Sequence, residues 1–217
     1  MVVDIETTGF DPASGHRLIE VATVDIDEGA IAASWSSLVR PGRPIPTDAT
    51  AVHGISDAMV ADAPLPAAVA AELKRRCADR MLVFHHAAFD LPFIRRMFHK
   101  SGVAPLFNPV VDTLGLARGL PGAGGHSLEA LVERFGLPSE PLHRALGDAL
   151  TTARLLLALA PRWEADRNVG SWDELAAASQ DAARRTPSTP AEPPAPTPMP
   201  LFEAPAEIAP PPATVLS

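Results

Sequence analysis

The stretch MVVDIETTGFD, residues 1–11, sets acids into an apolar run and then breaks into a Thr-Thr-Gly turn. Residues 1–6 read as a strand. Strand side chains alternate faces, so Asp4 and Glu6 share one face while Val3 and Ile5 point into the opposite, packed layer. A buried carboxylate is costly unless something positive meets it. Two readings are open from this segment alone. One is a half-exposed edge strand with solvated acids. The other is a pair of rigidly held oxygen ligands for a hard cation such as Mg²⁺ or Mn²⁺. The turn that follows places the acids at a strand end, over a cleft.

The 217 residues are 47% hydrophobic, ample for a core, and no apolar run reaches the length of a membrane span. The N-terminus lacks a basic region followed by an apolar stretch, and a lone cysteine, Cys77, fits a reducing compartment. The expectation is a soluble cytoplasmic protein. A formal net charge of −8 argues against a broad electrostatic footprint on nucleic acid. It leaves room for an enzyme that grips one strand end through metal ions and a few contacts, and that gains from a tether.

From Pro187 to Ser217 there are 11 prolines in 31 residues, three acids and no Lys or Arg. Such a stretch cannot bury enough apolar surface to offset its ordering entropy, so 187–217 is expected to be a disordered tail. The body divides in expectation into a domain over 1–163 and a helical extension over 164–186.

Within the body, strands and helices interleave. Leu18–Asp27 and Ile31–Val39 read as strands joined at Glu28–Gly29, which suggests a hairpin. A helix is predicted over 64–77, with prolines at its start where a missing N–H costs little. Strands follow at 80–85 and 109–114. A helix from Ala88 to about Lys100 carries Phe89, Phe93 and Met97 at four-residue spacing, with Pro92 tolerable only in its first turn. Further helices are expected over 127–135, 146–160 and 172–184. This order points to an α/β or α+β domain around one mixed sheet.

Two later segments change the balance at the opening acids. FHHAAFD places Asp90 just after a strand, at a helix start. HRALGDAL puts His143 on a connecting loop, five residues before Asp148 in the next helix. With VHGIS, VDTLGLAR and HSLEALVERFGL in the same order, the chain from Val2 to about Ala160 resembles the DEDD-type 3′–5′ exonucleases with a histidine in the third motif. The proofreading epsilon subunit of bacterial replicative polymerases belongs to that family. The resemblance implies a ribonuclease H-like α/β fold, with a five-stranded mixed sheet flanked by helices. It implies Asp4, Glu6, Asp90 and Asp148 as metal-binding carboxylates and His143 as general base. Two divalent ions, Mg²⁺ with Mn²⁺ able to substitute, would polarise the attacking water and neutralise the leaving 3′ oxygen, while a histidine can take a proton near neutral pH. It also sets Thr7, Thr8 and Gly9 against the terminal nucleotide. His53 would help bind that nucleotide, and Asp48 is a further candidate contact. The implied substrate is a single-stranded or frayed DNA 3′ end, with nucleoside 5′-monophosphates as products. Alternatives are an RNA-trimming exonuclease, because the same site serves both polymers, and a non-catalytic polymerase accessory subunit.

Two departures stand out. Relatives usually carry Asn where this chain has His86, which exchanges an amide for an imidazole and could introduce local pH sensitivity. The first strand also begins at Met1 itself, so it is expected to be short or to start upstream. Other features read as ordinary. GLPGAGG (119–125) lacks the Lys-Ser/Thr of a phosphate loop and reads as a lead into an N-cap at Ser127. His16, His85, His99 and His126 have no partner at zinc spacing and read as surface or packing residues. The pairs Arg75–Arg76 and Arg95–Arg96 read as solvated helix faces. In the tail, Pro198–Phe202 (PMPLF) resembles the end of the short peptides with which bacterial replication proteins dock on the sliding clamp, and is expected to contact a clamp or polymerase.

Overall fold

The structure is a computed structural model and describes residues 1–121, 124–138, 140 and 143–185. The proline-rich segment 187–217, with its Pro198–Phe202 cluster, lies outside the described residues. The sheet has five strands, β1 (Val2–Thr7), β2 (Leu18–Asp27), β3 (Ala30–Leu38), β4 (Leu82–Phe84) and β5 (Val110–Asp112), in the order β3-β2-β1-β4-β5. β1, β2 and β3 run antiparallel, while β4 lies parallel to β1 and β5 parallel to β4. The hairpin from β2 to β3 turns through Glu28 and Gly29, both at positive φ (51° and 79°). Two such residues make a tight loop whose twist matches that of the strands. This is the ribonuclease H-like sheet expected from the sequence.

Eight helices are present among the described residues: α1 (Thr47–His53), α2 (Asp57–Val60), α3 (Pro66–Cys77), α4 (Ala87–Lys100), α5 (Thr113–Gly119), α6 (Leu128–Phe135), α7 (Ala145–Arg167) and α8 (Trp172–Arg185). The pleat of β1 divides the core. Val3 and Ile5 join Leu73, Phe84, Phe93 and Phe98 on the face covered by α3 and α4. Val2 joins Val83, Leu131, Leu155, Leu159 and Trp163 on the face covered by α6 and α7. Asp4 and Glu6, in phase with Val2, therefore open toward the α7 side.

Several elements depart from the sequence reading. α1, α2 and α5 were not anticipated. α1 is a short helix of seven residues, too short for a sequence period to show, and is closed by Gly54 at φ +72°, where the left-handed cap suits glycine. α7 runs seven residues past the expected Ala160, through Pro161, because Trp163 is buried and its Nε1 donates to the Leu116 carbonyl (3.1 Å). That packing outweighs the hydrogen bond proline forfeits. The boundary expected at residue 163 thus falls inside a continuous helix. Pro92 sits at the sixth position of α4, one turn later than the sequence reading allowed.

α8 closes the far edge. The Asp112 N–H donates to Ser179 Oγ (3.0 Å), and Gln180 donates to the Val110 carbonyl (3.3 Å). The helix can approach this closely because α5 presents Gly115, where an added Cβ would collide with the Ser179 carbonyl. Gly115→Ala is expected to push α8 off the sheet edge and lower stability by about 2 kcal/mol, read as a reduced midpoint in urea denaturation; an unchanged midpoint would mean that α8 is not held there.

Candidate active site

Three carboxylates from two elements meet at the end of β1. One oxygen from each of Asp4, Glu6 and Asp148 lies within 4.8 Å of the others. β1 supplies the first two on one rigid face, and Asp148 is the fourth residue of α7, where the helix N-terminus favours negative charge. The register of β1 on β2 slips between Glu6 and Thr7, so the ladder pairs Glu6 with Glu20 but Thr7 with Leu18. Such a bulge re-aims the strand as it leaves the sheet. Asp90 comes from the first turn of α4 and is 4% exposed. It stays outside the 4.8 Å group but is close enough to raise the pKa of Asp4, and it accepts from the Ile5 backbone N–H.

The group is electrostatically uncomfortable. Burial, then Asp90, Asp148, Glu6 and Glu20, hold Asp4 well above the usual carboxylate range. Burial, followed by Asp148 and Glu20 and eased by Arg144, lifts Glu6 to about 8. Burial lifts Asp148 to about 6, opposed by the His143 N–H. Burial and Asp112 raise Asp90 in the same way. Burial and the neighbouring acids thus favour the protonated form of each carboxyl, a bias that a bound cation would oppose. An all-oxygen, all-carboxylate donor set of this kind fits a hard divalent cation.

His143 stands beside the group. Its N–H donates to Asp148 Oδ2 (3.0 Å), and its backbone is at φ +62°, uncommon for a residue other than glycine. What holds it there is an interaction that sequence reasoning missed. Glu20, 4% exposed and third in β2, receives a forked pair from Arg144, Nη2 to Oε1 (2.6 Å) and Nε to Oε2 (3.0 Å), and also the Ala145 N–H (3.0 Å). The clamp pins the loop carrying His143 to the sheet. The cue was present, since an acid between Ile19 and Val21 in an apolar strand raises the same question as Asp4. Asp112 was missed as well. Its carboxylate accepts from the N–H groups of His86 (3.0 Å), Ala87 (3.2 Å) and Leu114 (3.0 Å), and so sets the start of the helix that bears Asp90. His86 occupies that N-cap at φ +79°, a left-handed site that Asn and His tolerate better than most residues.

The other candidates are distributed around this centre. The Thr7 hydroxyl donates to the Gly9 carbonyl (2.7 Å), and Thr8 Oγ1 accepts the Arg17 N–H (3.0 Å), so both hydroxyls act inside the turn. Gly9 sits at φ +152°, and a Cβ there would run into the His16 ring. His53 is 5% exposed at the end of α1; its Nδ1 accepts from Ile55 (3.0 Å), leaving a buried Nε2 that faces the Thr7 backbone without a hydrogen bond of ordinary geometry. Asp48 is exposed in the first turn of α1, accepts from the adjacent Ala49 N–H, and lies outside the carboxylate group. Of the two readings the sequence left for His85, surface or packing, the structure gives packing. Its ring bridges Thr113 Oγ1 (2.9 Å) and the His126 carbonyl (3.2 Å), and burial holds its pKa down at about 4.

The family model of the RNase_T exonucleases matches residues 1–156. The chain belongs to this exonuclease family. A DNA polymerase III subunit epsilon-like protein of Rhodobacter capsulatus is 44% identical over 170 residues, 76% of this exonuclease chain but 24% of the relative. The chain thus spans about a quarter of the length of that relative. The DNA polymerase III subunit epsilon of Rickettsia typhi is 32% identical over 166 residues, 73% of this chain and 72% of the relative. Among solved structures, exonuclease X in complex with 5′ overhanging duplex DNA superposes with a TM-score of 0.65 at 29% identity, over 82% of this chain and 98% of that one. No helix among the described residues is long and apolar enough to cross a membrane.

Two outcomes follow from the electrostatics. Glu6 keeps its proton up to about pH 8 in the fold but ionises near 4.5 once unfolded, so unfolding releases a proton between these values. Buried histidines such as His85 act in the opposite sense below about 6.5, so the stability of the metal-free protein should fall as pH rises from about 6.5 to 8, with Tm dropping across a melt series in chelator and recovering at pH 8 on addition of Mn²⁺. A Tm rising over that window would contradict the crowding. Arg144→Ala leaves Glu20 buried and unpaired. Because the Arg144 side chain is 45% exposed and water can partly replace it, the expected loss is about 2 kcal/mol in urea titration rather than the larger figure for a fully buried pair.

Proposed function

We propose that this exonuclease removes nucleotides from the 3′ end of DNA, releasing nucleoside 5′-monophosphates, in proofreading or repair. The observation that carries this reading is the convergence of Asp4, Glu6 and Asp148, with Asp90 behind Asp4, at a strand end of an exonuclease fold. Support for DNA comes from the relatives, which include polymerase III epsilon subunits and an exonuclease solved on a DNA duplex.

In this reading Asp4, Glu6, Asp90 and Asp148 would hold two divalent cations, Mg²⁺ with Mn²⁺ as a substitute, whose chemistry there would be a lowered pKa for the attacking water and charge relief at the departing 3′ oxygen. His143 takes the water's proton, and the Glu20–Arg144 clamp keeps its loop in place. Thr7, Thr8 and Gly9 offer the turn against which the terminal nucleotide rests, with His53 completing that wall and Asp48 at its rim. Pro198–Phe202 would tether the enzyme to a polymerase or clamp, which suits a chain of net charge −8.

The test is a time course on 5′-labelled DNA with a 3′ mismatch and on RNA of the same sequence, in Mn²⁺, with Asp4→Ala as control. A descending ladder on DNA that the variant does not produce is the expected result. A ladder on RNA alone would transfer the activity to RNA turnover, and no ladder from folded, metal-loaded protein would overturn the reading.

A further inference from the structure

A cavity of about 90 Å³ opens between the β1–β2 loop and α4, with His16, Arg17, Phe93, Arg96, Met97 and Lys100 among its walls. Both walls belong to elements that build the candidate site. Thr8 is bound to Arg17 through paired backbone and hydroxyl contacts (2.8 and 3.0 Å), and its hydroxyl meets His16 Nδ1 (3.2 Å). Phe93 and Met97 follow Asp90 on α4 at the three- and seven-residue steps that keep side chains on one face.

Seven arginines, Arg40, Arg75, Arg76, Arg80, Arg144, Arg154 and Arg184, are each paired with an acid, while others such as Arg43, Arg95 and Arg118 are not among the described residues; what marks this cavity is that three cations share its walls with no acid among the lining residues. Arg17, Arg96 and Lys100 form no ion pair among the described residues, although the chain carries a net charge of −8. Arg96 is half-buried, and its Nε is buried with no hydrogen-bond partner among the described residues. A buried donor left unmade carries a desolvation penalty that a ligand can remove. Arg17 Nη1 is folded back onto the carbonyls of Gly15 (2.8 Å) and His16 (3.1 Å), which holds the guanidinium in place. The apolar floor of Phe93 and Met97 lowers the local dielectric and strengthens attraction to an anion. A cavity of about 90 Å³ has room for a phosphate group. Lys100 lies about 15 Å along α4 from Asp90, at 1.5 Å per residue, within a few nucleotides of a 3′ end seated at the carboxylates.

We infer that this cavity is a phosphate subsite for the strand being degraded, in which Arg17, Arg96 and Lys100 hold a phosphodiester on the 5′ side of the scissile bond. The inference rests on the exonuclease reading for its place in the reaction, but the anion site itself can be tested without turnover. Local cations of this kind explain how an acidic protein keeps hold of a polyanion. They supply a field at one groove while the remaining surface repels.

The experiment measures anisotropy of a 5′-labelled single-stranded DNA 12-mer in chelator, for wild type, Arg96→Gln, Lys100→Ala and the double variant, across a salt series. Each lost cation should weaken binding about three- to tenfold and reduce the slope of log affinity against log salt by about 0.7. In Mn²⁺ the variants should raise KM for the 12-mer while leaving kcat, and hydrolysis of the p-nitrophenyl ester of thymidine 5′-monophosphate, unchanged, because that ester ends at the terminal nucleotide. Unchanged affinity and slope would overturn the subsite, and so would an effect confined to a duplex with a recessed 3′ end, which would assign the cations to the complementary strand. Were wild type to hydrolyse neither substrate, the exonuclease reading would fail while the binding series still decided the subsite. Lys100 is exposed, so its variant keeps the test sound should Arg96→Gln fold poorly.

Discussion

The mutual repulsion of carboxylates crowded at the end of β1 is the constraint around which this protein is organised. Asp4, Glu6, Asp90 and Asp148 all have pKa values pushed upward, each with burial as the leading cause and other acids behind it. Folding alone has no reason to assemble such a group. It persists because the rest of the chain supplies enough rigid packing to impose it, as is common where function demands strain.

The imposition comes from several directions. The sheet fixes Asp4 and Glu6, since a shift of one residue in β1 would send Val2, Asp4 and Glu6 into the layer now filled by Val3 and Ile5. The starts of α4 and α7 deliver Asp90 and Asp148, and each start is tied by its own acid: Asp112 gathers the N–H groups at the head of α4, and Glu20 receives Arg144 and Ala145 at the head of α7. The site thus has an inner ring of acids that repel and an outer pair that anchors. The outer pair is satisfied by hydrogen bonds within the chain; the inner ring suits a cation.

Much of this was legible in the sequence, for identifiable reasons. β2 was placed at its observed limits because its apolar run is bounded by turn residues, and Asp4 and Glu6 could be assigned to one face because the strand period is fixed. Asp90 and Asp148 could be placed at helix starts from their distance to the preceding breaks. α1 and α5 were hidden because each is only seven residues long, too short to show a helical period, with α5 further interrupted by Gly115, and the end of α7 was hidden because Pro161 signals a stop that Trp163 overrides. Glu20 escaped because a single acid in an apolar strand announces burial but not its partner, and Arg144 lies 124 residues away. The cavity beside α4 escaped for the same reason, since local sequence does not show that Arg17 and Arg96 line one cavity.

That separation of 124 residues has a consequence for how the enzyme comes into being. Loop-closure entropy must be met before so distant a contact rewards it, which delays such pairings in folding. During synthesis, β1, β2 and α4 can pack before Arg144 has left the ribosome, yet Glu20 then has no guanidinium and Asp148 is absent from the cluster. A nascent chain therefore carries most of its acids well before it has a complete site. The Glu20–Arg144 clamp can close only after residue 144 has been made, and Asp148 arrives with it.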